Sequence, residues 1–296
     1  MHVFVTGASG WIGSATVPEL IGAGHRVTGL ARSEASAAAL TAAGAEVVRG
    51  TLDDLDVLRD TASATDGVVH LAFKHDIAFS GGFAQAADAD RLAIEAFGAA
   101  LTGSGKPFLI ASGTIGVATG RVATEQDGLD AGNPNPRLTN ALLTLALAGR
   151  DVRASVVRLP PTVHGDGDHG FMATLVGIAR AKGVAGYPGD GTSRWPAVHR
   201  SDAARLLRLA LEQAPAGSVL HATAEEGVQQ RDIANVIGRH LGVPVEAVTA
   251  DDHFSWLSAL VGIDSPVSST ATRELLGWQP TGPTLLEDLE QGHYFK

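Results

Sequence analysis

Eight residues near the start, Thr6-Gly7-Ala8-Ser9-Gly10-Trp11-Ile12-Gly13, carry the strongest chemical signal in this sequence. They follow an apolar run and open a helix-length stretch. Glycines at this spacing have mechanical uses. Gly7 permits a tight turn, Gly10 lets the backbone approach a pyrophosphate, and Gly13 lets a helix sit close on a strand. The phosphates of a dinucleotide would then meet free N–H groups and the positive end of a helix dipole. A second signal is Arg32, which ends the next apolar run in Gly29-Leu30-Ala31-Arg32-Ser33. An NAD site normally places an acid there to grip the ribose 2′-hydroxyl, whereas a guanidinium suits a 2′-phosphate and stacks on adenine. The pattern favours NADP(H). Asp53, after the third apolar run, is placed either to accept from the adenine amine or to cap the following helix.

Lys74 and His75 follow the fourth apolar run, at the edge where open α/β sheets place ligands. A lysine there can hydrogen-bond a cofactor ribose, act as an acid, or simply stand in solvent. His164, Asp166, Asp168 and His169 are metal-ligating residue types in one loop, but their spacing matches no metal motif and no metal is expected. Arg194 suits an anionic or carbonyl group of a substrate and equally a surface ion pair.

These residues need a frame that gathers them. Strand-length apolar runs at 2–6, 26–30, 46–49, 67–72, 107–111 and 154–158 alternate with helix-length stretches at 11–23, 33–43, 52–61, 83–101 and 138–148. Strands separated by helices imply βαβ units and a parallel sheet covered on both faces, and the β-branched runs agree. Beyond Arg158 a loop (159–170) leads to a helix (171–182), a loop through Trp195, a helix (201–213) and a strand (219–222). Helices at 230–241, 250–261, 268–276 and 285–292 follow. The expected fold is α/β, a Rossmann-type doubly wound parallel sheet with a smaller, mostly helical C-terminal substrate lobe. The expected division is 1–160 plus about 196–222 for the NADP-binding domain and about 161–195 plus 223–296 for the substrate lobe.

Composition narrows the classes. The absence of cysteine excludes a disulfide framework, a thiolate metal site and a Cys nucleophile. A formal charge of −10 argues against a nucleic-acid surface, which needs clustered Lys and Arg. No apolar run approaches the ~20 residues of a membrane span, and the first residues lack the basic region of a signal peptide. A cytoplasmic monomer or homodimer acting on a small molecule, with no nucleic-acid or membrane partner, is expected.

Taken together, the motifs resemble the extended short-chain dehydrogenase/reductases, the group of NAD-dependent epimerases, dehydratases and related reductases. TGASGWIG is similar to the family's cofactor loop, Val69-His70-Leu71-Ala72 to its strand-four motif, and Leu109-Ile110-Ala111-Ser112 to its strand-five motif. The segment 158–165, Arg-Leu-Pro-Pro-Thr-Val-His-Gly, resembles the family's stretch that lines nicotinamide and substrate. The segment 191–202 resembles the stretch in which an arginine, here Arg194, holds substrate phosphate. The resemblance implies cofactor contacts at Gly7, Ser9, Gly10, Trp11, Ile12, Gly13, Leu71, Ala72, Phe73, Ala111, Pro160, Thr162 and Val163, besides Arg32 and Asp53. It implies substrate contacts at His75, His164 and Arg194, and a strand-five hydroxyl, Ser112 or Thr114, on the substrate carbonyl.

One departure is decisive. The family's Tyr-x-x-x-Lys acid/base pair is expected twenty to thirty residues before Arg158, where 130–140 reads Asp-Ala-Gly-Asn-Pro-Asn-Pro-Arg-Leu-Thr-Asn. Neither Tyr187 nor Tyr294 has a lysine four residues on, so neither is expected to be the catalytic acid. Ser112, Thr114 and Lys74 are the expected catalytic candidates. The leading expectation is an NADP(H)-dependent oxidoreductase acting on a small carbonyl or alcohol by hydride transfer without that relay. The alternatives are a non-catalytic NADP(H) sensor and a redox-neutral epimerase or lyase.

Overall fold

The computed structural model describes residues 1–296 apart from 119, 131, 133 and 134. Three of these, 131, 133 and 134, belong to the stretch lacking the tyrosine, so that part of the expectation lies outside the described residues. The first half alternates β1 (His2–Thr6), α1 (Gly13–Gly22), β2 (Arg26–Ala31), α2 (Glu34–Ala42), β3 (Glu46–Arg49), α3 (Leu55–Ser63) and β4 (Gly67–His70). A short α4 (His75–Ile77) and a π-turn (Ala78–Gly82) lead into α5 (Phe83–Leu101), β5 (Pro107–Gly113), α6 (Pro136–Ala146) and β6 (Arg153–Leu159).

Seven strands form one sheet in the order β10-β6-β5-β4-β1-β2-β3, where β10 is Ser218–His221. Every neighbouring pair is parallel. The order reverses between β1 and β4, the switch point at which doubly wound sheets bind ligands beyond their carboxyl ends. Both faces are covered. Val3 and Val5 join the core with Val17 and Leu20 of α1 and with Leu206 and Leu207 of α8 (Arg200–Gln213). Phe4 points the other way, edge-on to Phe97 of α5 at 6.1 Å. This two-sided burial is why β1 reads as a continuous apolar run rather than an alternating one.

The second half adds β7 (Thr162–His164), α7 (Phe171–Lys182), β8 (Ala185–Pro188), β9 (Arg194–His199), β11 (Glu225–Gln229), α9 (Gln230–Leu241) and β12 (Val245–Val248). Then come α10 (Ala250–Phe254), α11 (Ser258–Val261), α12 (Thr270–Leu276) and α13 (Leu285–Glu290). Its core is the fully buried Trp195 with Ile233, Ile237, Leu257, Leu285 and Leu289. Five short strands here replace stretches expected as loops. They form a β11-β9-β7 sheet and a β12-β8 pair. Each is three to six residues long and carries no local alternation strong enough to announce it; partners distant in sequence make them strands. β9 pairs with β7 and β11 and is shared between the two cores: Trp195 and Ala197 pack into the second, Val198 into the first. The helix expected over 250–261 is broken at Ser255, whose φ of +53° ends α10 and starts a 3-10 turn, Ser255–Leu257.

Candidate functional site

The glycine loop has the geometry its spacing implied. Gly7 sits at φ +64°, and a Cβ there would stand 2.7 Å from the Ala72 nitrogen, because the backbone leaving β4 crosses over the turn. A Cβ on Gly13 would lie 2.1 Å from the Gly7 carbonyl oxygen, so α1 can start this close to β1 only with glycine. Gly10 donates to Gly7 O at 2.9 Å, and the first helical bond runs from Ser14 N to Gly10 O at 2.8 Å. Among the described residues, the N–H groups of Trp11, Ile12 and Gly13 have no protein acceptor. These donors, at the positive end of α1, fit a dinucleotide pyrophosphate. Trp11 ties the loop to the second half: its indole N–H donates to Val163 O at 2.7 Å, and Arg200 lies 4.2 Å over its ring.

Behind the loop runs a buried polar chain. Asp90, ionised and acceptor-only, takes hydrogen bonds from His70 Nε2 at 3.1 Å and Asn140 Nδ2 at 2.7 Å. That leaves His70 Nδ1 to accept from the Thr6 hydroxyl at 2.6 Å, and Thr6 Oγ1 accepts from Ala72 N at 3.3 Å. The chain thereby clamps the backbone of β1 and β4 that encloses Gly7. Arg137, at the start of α6, faces Asp90 Oδ2 at 3.4 Å, donates to Ala111 O at 2.6 Å, and lies 4.2 Å over the Phe73 ring. Burial alone would push the Asp90 carboxyl up; the His70 bond, the Arg137 charge and Asn140 hold it below the usual carboxylate range. Burial lowers Arg137, opposed by Asp90.

Sequence reasoning missed Arg137, Asp90 and Asn140 as site residues. One signal was available: Asp90 is a lone acid on the stripe of α5 that buries Ala86, Ala87, Ala93 and Ile94.

The structure gathers some of the expected residues and closes others. Ser112 is the last residue but one of β5, on the sheet face of Phe108 and Ile110, and Thr114 stands just beyond the strand. Both are buried, and neither hydroxyl has a hydrogen-bond partner among the described residues. Lys74 grips both carboxylate oxygens of Asp53 at 2.7 Å, so each expected contact is committed to the other. The cap of α3 is Asp54, not Asp53. Arg32 stays exposed beyond β2, with Asp76 at 3.8 Å. Burial, then the Arg137 charge, lowers His75, which stands against Phe73 at 5.1 Å.

Two of the expected substrate contacts, His164 and Arg194, have carboxylate partners within the protein. His164 is fully buried and bonds Asp288 at 3.0 Å through Nδ1, because α13 packs onto β7. Arg194 donates to both oxygens of Asp264 at 2.9 Å, so its charge is spent within the second half. Thr162 is buried, its hydroxyl donating to Pro196 O, which makes it a strut between β7 and β9. In the polar loop, Tyr294 donates to Asp168 at 3.0 Å and accepts from Gly165 N at 3.2 Å. Burial raises both Asp168 and Tyr294. Tyr187 lies under Arg231 at 5.2 Å.

Residues 3–90 match the family described as "NAD dependent epimerase/dehydratase family". Over its whole length the chain is 46% identical to an uncharacterized protein of Schizosaccharomyces pombe, with 100% of each covered. The chain belongs to the NAD-dependent epimerase/dehydratase family. It is also 28% identical to the sterol-4-alpha-carboxylate 3-dehydrogenase, decarboxylating, of Dictyostelium discoideum, covering 78% of this chain and 73% of that one. Among solved structures it is similar to UDP-glucose 4-epimerase of Thermotoga maritima, with a TM-score of 0.78 at 19% identity over 100% of this chain and 98% of that chain. That likeness is one of fold. The family is a family of enzymes, and among the described residues of this member no helix is long and apolar enough to cross a membrane.

Proposed function

We propose that this family member is an NADP(H)-dependent oxidoreductase that interconverts a small carbonyl compound and its alcohol. The observation that carries the reading is the pair of buried hydroxyls, Ser112 and Thr114, left without partners at the carboxyl edge of β5. A buried hydroxyl with no partner costs about 1–3 kcal/mol, a cost a ligand oxygen at that edge removes. The cofactor, when bound, supplies the hydride. The chain's own residues hold the other components. The free N–H groups of Trp11, Ile12 and Gly13 take the pyrophosphate, and exposed Arg32 takes a 2′-phosphate. Ser112 and Thr114 orient the carbonyl oxygen, and the Arg137 charge nearby stabilises negative charge developing on it. With no tyrosine in place, the proton comes from water. The Dictyostelium relative, named as a dehydrogenase, supports redox chemistry over redox-neutral isomerisation.

The test is a titration of NADPH and NADH by fluorescence, alongside NADPH consumption against a panel of carbonyl compounds. NADPH should bind more tightly, and Arg32→Asp should invert the preference. Alanine at both Ser112 and Thr114 should lower kcat/KM at least about tenfold with little change in NADPH binding. Equal dissociation constants in the unmodified protein would sink the NADP assignment. Tight cofactor binding with no turnover of any carbonyl would favour the sensor reading, to which the missing Tyr/Lys pair points.

A further inference from the structure

This chain has nine Phe, four Trp and two Tyr in 296 residues, yet Phe73, Phe79, Phe83, Phe171, Trp195 and Trp256 form one continuous run with His75. It starts at Phe73, under Arg137, one residue beyond the Ala72 backbone that covers the glycine turn. From Phe73 it passes to His75 at 5.1 Å, and His75 stacks on Phe79 at 5.7 Å and 25°. Phe79 then meets Trp256 at 5.4 Å and Phe171 at 6.2 Å, and Phe171 lies against Trp195 of the second core at 5.8 Å. The run therefore bridges the two halves of the molecule, from the proposed carbonyl site to solvent.

Its outer rings are bare. Phe79 is 56%, Trp256 52% and Phe83 42% exposed, among the largest apolar exposures in the structure. Both outermost rings stand on unusual backbone. Phe79 rides the π-turn that contains Gly81 at φ +90°, and Trp256 follows Ser255 at φ +53° and ψ −126°, a conformation L-residues rarely adopt. Strain of that kind persists where the surroundings demand it and gathers at ligand clamps.

Charge points the same way. Lys74 and Arg137, cations beside Phe73, already face Asp53 and Asp90. Arg194, which would hold a substrate phosphate, is closed by a two-pronged contact. Desolvation beside the rings, then the Arg137 charge, holds the His75 imidazole below its ordinary value. A nucleoside diphosphate would bring two or more negative charges to an apolar wall on a chain of net charge −10. An uncharged ring or branched hydrocarbon would cover the bare rings.

We propose that the wall of rings from Phe73 to Trp256 takes an uncharged, apolar carbonyl compound with a ring-bearing body, and that sugar nucleotides are not its substrates. The proposal rests on the reading of the site as an oxidoreductase. A second copy of the chain is a poorer occupant, because the run begins at the buried carbonyl edge and not on an outer face.

The test uses the full-length protein saturated with NADPH. Calorimetry measures binding of cinnamyl alcohol and of UDP-glucose, and steady-state assays compare trans-cinnamaldehyde with acetaldehyde. Cinnamyl alcohol should bind and UDP-glucose should not, and KM for cinnamaldehyde should be at least about tenfold below that for acetaldehyde. Trp256→Ala and Phe79→Ala, both at exposed positions, should weaken cinnamyl alcohol binding about tenfold or more and shrink the ratio of the two KM values. Their NADPH dissociation constants should stay within about twofold of the unmodified protein. Tighter binding of UDP-glucose than of cinnamyl alcohol, or no binding of cinnamyl alcohol, overturns the proposal. So does a dimer in sedimentation that Trp256→Ala dissociates. Binding of cinnamyl alcohol with no NADPH consumption on addition of trans-cinnamaldehyde or acetaldehyde leaves the wall standing and sinks the oxidoreductase reading instead.

Discussion

Replacing Asp90 by Asn tests whether the buried polar chain holds the site together. Asp90 is 3% exposed, accepts from His70 and Asn140, and is the carboxylate facing Arg137 at 3.4 Å. The amide keeps the shape but removes the counter-charge and turns one acceptor into a donor. Breaking a buried pair from one side costs about 3–5 kcal/mol, chiefly because the remaining charge is left uncompensated. At roughly 2.1 cal/mol/K per residue, the unfolding entropy of 296 residues is about 0.6 kcal/mol/K, so Tm should fall by roughly 5–8 °C.

The pH dependence gives a second reading of the same group. Its folded pKa lies below the unfolded value. Its contribution is therefore present above the unfolded carboxylate pKa of about 3.9 and is lost as pH falls through the folded value. Asp90→Asn should be most destabilising near neutral pH, with the gap to the unmodified protein narrowing on acidification. Urea unfolding from pH 7 downward measures both. Adding Arg137→Gln to Asp90→Asn should restore part of the loss, as a coupled pair does. A single-variant cost below about 1 kcal/mol with an unchanged acid limb would refute the argument, since the pair would then carry no net weight.

Gly13→Ala should weaken NADPH binding at least about tenfold and destabilise by about 1–3 kcal/mol, because the new Cβ would lie 2.1 Å from Gly7 O and must push α1 off the loop; fluorescence titration and urea unfolding check this. Tyr294→Phe should leave kcat within about tenfold, since its hydroxyl is engaged with Asp168 and Gly165 rather than with the cleft; a thousandfold fall would place it in the acid role. The same variant should lose about 0.5–1.5 kcal/mol of stability from the broken hydrogen bond to Asp168, readable as a shift in the urea midpoint.

What the sequence alone determined is what depends on neighbours along the chain. The glycine loop is legible because a turn, a close approach and a helix start impose their demands within seven consecutive residues. The alternation of the first half is legible because strands covered on both faces must be apolar throughout, and the parallel sheet follows from them. The missing Tyr/Lys pair is a plain fact of residue identity.

Tertiary structure decided what depends on partners far apart in sequence. For Arg194 the sequence left a substrate anion and a surface ion pair equally open, and Asp264, seventy residues away, is the partner the fold supplies; for Lys74 it is Asp53. His164 stands in a polar, glycine-rich stretch that reads as a surface loop, yet α13 covers it from 124 residues further on. The short strands of the second half have no signal of their own, since each is specified by the strand it meets. Arg137 gained its place from Asp90 of α5, Ala111 of β5 and Phe73 beyond β4, three elements that meet only when the sheet closes. A charge's function is set by which opposite charge reaches it first and by how little water remains between them, and both are properties of the packed molecule.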